Sequence, residues 1–142
     1  MNRSITLAAL LGCAACTVGN GVLPDAGPCP AKPDYFVSDV WPRYLVANQC
    51  NNRGCHDFSD GHGYLRLRPP EDPPPAMGMP LETWPLAWRE NYLSTLQLVR
   101  CDQPLASRLL TVPEGQSNLH PPGPVVLDRA TAATVVETWV SP

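Results

Sequence analysis

The chain has 142 residues and a formal net charge of −3. Its 18 prolines and 10 glycines mean that much of it is loop. A single lysine, Lys32, and the acidic balance leave no basic stripe for a nucleic acid, and six cysteines suit an oxidising compartment better than the cytosol.

Arg3 precedes a short apolar run, Ile5 to Leu11, that closes on small residues. This is the layout of a secretory signal peptide. The run is shorter than the roughly 20 residues that a membrane-spanning helix needs, and no later segment reaches that length. Leu10-Leu11-Gly12-Cys13 resembles the bacterial lipobox, in which the cysteine takes a diacylglycerol and becomes the new N-terminus. Cys16, behind Ala14-Ala15, is the alternative acceptor. Its use would remove Cys13 and leave four cysteines, an even number. A plain signal peptide without lipid is the simpler reading of the same run. Residues 1–16 are thus assigned to the signal and lipobox region, and the rest of the chain is one domain's worth.

Residues 17–33 are rich in Gly, Pro and Asn and read as a flexible tether, with Cys29 near its end. A first helix is predicted from Tyr35 to Gln49, capped by Ser38 or Asp39, with Pro42 in its first turn. Val37, Trp41, Tyr44, Leu45 and Asn48 recur there at helical spacing. The segment from Cys50 to Gly63 is a polar, glycine-containing loop, and 63–67 is a short extended piece. Pro69 to Pro80 carries six prolines and two methionines, so it is neither helix nor central strand. A second helix falls within 81–99, with Thr83 as its cap and Pro85 in its first turn. Trp84, Trp88, Tyr92 and Leu96 give it one buried face. Cys101 comes next, then a helical turn at Ser107-Arg108-Leu109-Leu110 and a loop over 116–124. Asp128 caps a last helix whose stripe is Ala132, Val135, Val136, Trp139 and Val140. The predicted fold is a mostly α domain, residues 34–142, with long Pro- and Gly-rich loops.

The segment Cys50-Asn51-Asn52-Arg53-Gly54-Cys55-His56 carries the chemistry. Two cysteines followed at once by histidine is the arrangement of c-type haem attachment. Each thiol adds across a vinyl group to form a thioether, and the histidine then lies beneath the iron. Here four residues separate the cysteines where two are usual. A local Cys50–Cys55 disulfide with His56 as an ordinary neighbour is the competing reading. A zinc or copper site from Cys50, Cys55, His56 and His62 is a third. Cys29 and Cys101 are expected to pair in either of the first two cases, at a stabilisation of about 3–4 kcal/mol. No nucleophile elbow or phosphate loop occurs, so no enzymatic chemistry is expected.

Beyond the motif, the chain resembles the cytochrome c-like lipoproteins of myxobacteria and the related planctomycete domains. The resemblance covers roughly residues 35–142. It rests on the helix that enters the cysteine–histidine motif and on Gly63-Tyr64-Leu65-Arg66-Leu67. It rests also on Ser107-Arg108-Leu109-Leu110, on Leu119-His120-Pro121-Pro122-Gly123 and on Trp139-Val140. It implies a small cytochrome c-like helical domain carrying one haem c, attached through Cys50 and Cys55, with His56 as proximal ligand. His120 would be the distal ligand, in the loop where the family places its Met or His. Met77 or Met79 is the alternative and would raise the potential. With both axial positions filled by protein, the iron would pass electrons to a redox partner in the cell envelope, from a domain held to a membrane by its lipid. The alternative function is a cofactor-free, disulfide-stapled envelope lipoprotein with a binding or structural role.

Overall fold

The computed structural model describes residues 29–52, 54–59, 61, 63–114 and 128–142. Cys13, Cys16, most of the tether, His62 and His120 lie outside the described residues. The described chain is mostly helical and contains no strand. None of its helices is long and apolar enough to cross a membrane.

The first helix, α1, starts as an α-turn over Pro33–Tyr35 and continues as a π-helix over Phe36–Val46. Pro33 opens it, where a missing N–H costs nothing. Pro42 sits in its middle rather than in its first turn. A mid-helix proline removes a donor and crowds the carbonyl four residues back, and the wider π register accommodates both. Ser38 and Asp39 therefore do not cap. Ser38 donates to the Asp39 carboxylate, which pairs with Arg43 at 2.6 Å one turn on. The wider register also changes the buried face, which is Phe36, Val40, Trp41, Tyr44 and Leu45. Phe36 and Val40 displace the expected Val37 and Asn48.

The second helix, α2, spans Leu86–Leu96, after a 3-10 turn at Leu81–Thr83. Thr83 does not cap it. Its hydroxyl bonds the Pro80 carbonyl at 2.7 Å, and Pro85 takes the cap position. Trp84, Trp88 and Tyr92 are buried as expected. Asn91 and Thr95 are buried too, at 0% exposure, and the periodicity of apolar residues does not show them. A 3-10 turn over Pro104–Ala106 leads to α3, Arg108–Thr111. The last helix, α4, spans Arg129–Val140. The Asp128 side chain accepts from the Thr131 backbone at 3.2 Å and caps it, and all five residues of its predicted stripe are buried.

Helices α1 and α4 pack on one another, with the start of one at the end of the other. The Lys32 backbone N–H donates to the Trp139 carbonyl at 2.9 Å. Phe36, Tyr92 and Trp139 form an aromatic centre with ring centroids 5.3–5.7 Å apart, in tilted and edge-on pairs. Trp41 meets Trp88 at 5.4 Å. Each such pair adds about 0.5–1.5 kcal/mol beyond its buried area.

Residues 29–33 belong to this body rather than to a tether. Cys29 and Ala31 pack against the core, the Ala31 carbonyl accepts from the Tyr92 hydroxyl at 3.2 Å, and Cys29 is bonded to Cys101. That disulfide, with Cα atoms 5.5 Å apart, closes a sequence separation of 72.

Candidate functional site

The end of α1 delivers Cys50 to the core. Gln49 turns the chain over with φ 57. Its N–H bonds the Val46 carbonyl at 2.9 Å, and the Cys50 N–H bonds the Leu45 carbonyl at 2.9 Å. These are the two bonds of a Schellman turn, made here by a residue other than glycine. In this turn the residue after the left-handed position meets the last apolar residues of the helix. Cys50 accordingly packs, half-buried, against the core.

Cys55 is exposed, and neither Cys50 nor Cys55 is in a disulfide. The local pair of the competing reading is therefore not formed. Burial pushes the Cys50 thiol up to about 11, and the charge of nearby Cys55 adds to the shift. Neutral thiol is the resting form of Cys50.

His56 is half-buried and held by its backbone. Its N–H bonds the Cys50 carbonyl at 3.2 Å, and its carbonyl accepts from Leu67 at 2.8 Å. With Phe58 N–H on the Leu67 carbonyl at 2.9 Å, this makes an isolated parallel bridge, Asp57 to Leu67. Side chains of the extended piece alternate: Leu65 and Leu67 are buried, and Tyr64 is 67% exposed. It is pinned to α2 by side chains. Ser94 Oγ accepts from Arg66 N–H at 2.8 Å, and Asn91 bonds both backbone groups of Arg68. Around the loop stand two exposed rings, Phe58 beneath the Arg68 guanidinium at 3.3 Å and Tyr64 beneath that of Arg108 at 5.1 Å.

Met77 and Met79 are not brought to this loop. The Gly78 N–H bonds the Asp34 carboxylate at 3.0 Å, and the Met79 carbonyl accepts from Trp84 Nε1 at 3.0 Å. Asp34 lies in the first turn of α1, whereas Cys50 comes after its last turn. A helix of that length separates them by roughly 15–20 Å. The 69–80 segment thus lies over the end of α1 that bears Asp34, whereas Cys50 follows the other end.

His120 itself lies outside the described residues, but the residues that flank its segment are described. Glu114, before it, pairs with Arg129, after it, at 3.3 Å. Tyr44, buried on α1, donates its hydroxyl to the Leu109 carbonyl. Burial holds that phenol far above its ordinary range, and the charges of Cys50 and Glu114 reinforce the effect. Tyr44 is thus close enough to both Cys50 and Glu114 to feel their charges. Its sequence signal, one place on an apolar helix face, does not reveal this proximity.

Among the described residues no three His, Cys, Asp or Glu side chains are grouped to hold a metal ion. Cys50, Cys55 and His56 are not gathered as such a group, and His62, the fourth ligand of the zinc or copper reading, lies outside the described residues. The donor chemistry does fit covalent haem, which asks for two free thiols and a following imidazole on one loop. Comparison with known protein families, curated proteins and solved structures gives no match.

Proposed function

We propose that this chain is an electron-transfer protein of the bacterial cell envelope carrying one covalently attached haem c. Cys50 and Cys55 are the attachment residues, His56 the proximal ligand and His120 the distal one. The observation that carries this reading is the state of the cysteines. Cys29 and Cys101 are joined, while Cys50 and Cys55 stay unbonded directly before His56.

Haem, when bound, supplies a single-electron couple, and the chain supplies attachment, orientation and shielding. The Schellman turn at Gln49 presents one thiol at the edge of the core, and the exposed turn at Gly54 presents the other. The bridge between Asp57 and Leu67 fixes the backbone that bears the imidazole. Ligation by His120 gives two imidazoles and a relatively low potential. The N-terminal cysteine, Cys13 or Cys16, ties the domain to a membrane by its lipid. The partner is a redox protein within reach of that anchor.

The second reading is a cofactor-free, disulfide-stapled envelope lipoprotein. It is favoured by the aromatic centre of Phe36, Tyr92 and Trp139, which is packed ring to ring. Expression of the full chain in bacteria that mature c-type haem separates the two. A chain whose mass rises by one haem supports electron transfer, and one that gains no haem supports the stapled lipoprotein.

A further inference from the structure

We infer that Gly61 and Arg66 are positioning residues for His56. Gly61 is buried, and its N–H bonds the Asp57 carbonyl at 2.8 Å. A Cβ built there would lie 2.6 Å from the Asp57 nitrogen and 2.6 Å from the His56 carbonyl carbon, and closer still to the Asp57 oxygen. All of these are backbone atoms, so no side chain can swing away to make room. Glycine is required because its bare Cα rests on the peptide that joins His56 to Asp57.

Arg66 closes the arrangement from the other side. Its guanidinium donates to the Gly61 carbonyl. Its own backbone N–H is fixed to Ser94 Oγ of α2 at 2.8 Å. A chain of contacts therefore runs from α2 through Arg66 and Gly61 to the His56 peptide. Gly63, with φ +79, continues the same surface, and a Cβ there would stand 3.9 Å from His56 Cε1. The orientation of the His56 peptide sets where its Cα–Cβ bond points, and so where the imidazole can reach. A ligand site tolerates errors of about 0.5 Å and 10–20°. Only the consequence for iron ligation rests on the haem reading. The positioning of His56 does not.

The test uses the full chain with Gly61→Ala, Arg66→Met and Arg66→Lys. In haem-free protein, two quantities are read by NMR: the His56 Cε1–H resonance and the exchange rate of the Leu67 amide that bonds the His56 carbonyl. Covalent haem per chain is measured separately in cells that mature c-type haem. The expected result is a shifted His56 resonance and Leu67 exchange faster by about tenfold or more in Gly61→Ala and Arg66→Met, with helical circular dichroism unchanged. Arg66→Lys, which keeps a donor, recovers part of both. If Gly61→Ala does not fold, Arg66→Met decides. An Arg66→Met protein with wild-type His56 resonance and Leu67 exchange overturns the inference. Wild type without haem, alongside variants that do shift His56, leaves the positioning standing and removes the electron-transfer reading. Wild type with haem, alongside variants that move neither signal, does the reverse.

Discussion

The side-chain amide of Asn91 pairs with both backbone groups of Arg68, accepting from its N–H at 2.7 Å and donating to its carbonyl at 2.8 Å. One fully buried side chain on α2 thereby stands in for a neighbouring strand. It holds the extended piece whose Leu67 bonds the His56 carbonyl. Replacing Asn91 with leucine keeps the volume and strands both partners. The expected loss is about 2–4 kcal/mol, the cost of two unsatisfied backbone groups. Urea unfolding of the Asn91→Leu protein checks it, and a midpoint equal to wild type would contradict the pairing.

Gln49 occupies a left-handed backbone position at the end of α1, with φ 57. Glycine takes that conformation without steric cost. Gln49→Gly is expected to raise stability by about 0.5–1 kcal/mol, because the relieved strain exceeds the added freedom of the unfolded chain. Thermal or urea unfolding measures the change. A destabilised variant would mean that the Gln49 side chain contributes more than its backbone costs.

The Cys29–Cys101 bond closes a sequence separation of 72. The loop-entropy relation gives about 4 kcal/mol for a closure of that length. The double variant Cys29→Ser, Cys101→Ser should lose about 3–4 kcal/mol, with residues 29–33 the first to open in hydrogen exchange. Equal stability with and without the bond would remove it from the account of the fold.

The thiol of Cys50 is pushed up to about 11 from 9.0, chiefly by burial. The folded protein favours the neutral form. The corresponding stabilisation is fully present below pH 9.0 and is lost as pH rises through about 11. In haem-free protein, iodoacetamide at about pH 8 should modify exposed Cys55 well before Cys50. Cys50 should become reactive only as pH climbs through that window. Peptide mass spectrometry against pH reads both sites, and equal rates at the lower pH would contradict the burial argument.

Much of the fold was legible in the residues. The last helix, from its Asp128 cap to its five-residue stripe, comes from periodicity alone, because each of its determinants lies within the helix itself. The register of α1 was not legible. A proline between apolar residues is compatible with a helix start or with a widened turn, and only the burial of Phe36 and Val40, with Phe36 packed on Tyr92 and Trp139, selects the second. Buried Asn91 was hidden because its partner, the Arg68 backbone, is 23 residues away. The adjacency of Cys50, Cys55 and His56 is a property of the sequence. That the two sulfurs remain unbonded, and that Met79 sits at the far end of α1, depend on how the loops fold back. The roles of Gly61 and Arg66 depend on the same folding, for which a Gly-His-Gly run gives no specific signal.

The most direct test of the haem assignment is the absorption spectrum of the full chain produced in bacteria that carry out c-type haem maturation. The expected result is a sharp Soret band with reducible visible bands that persist after denaturation, since thioethers at Cys50 and Cys55 would hold the haem. Substitution of His120 should then change the axial ligation while leaving the covalent bonds in place. A colourless protein whose intact mass differs only by the hydrogens lost from paired cysteines would contradict it.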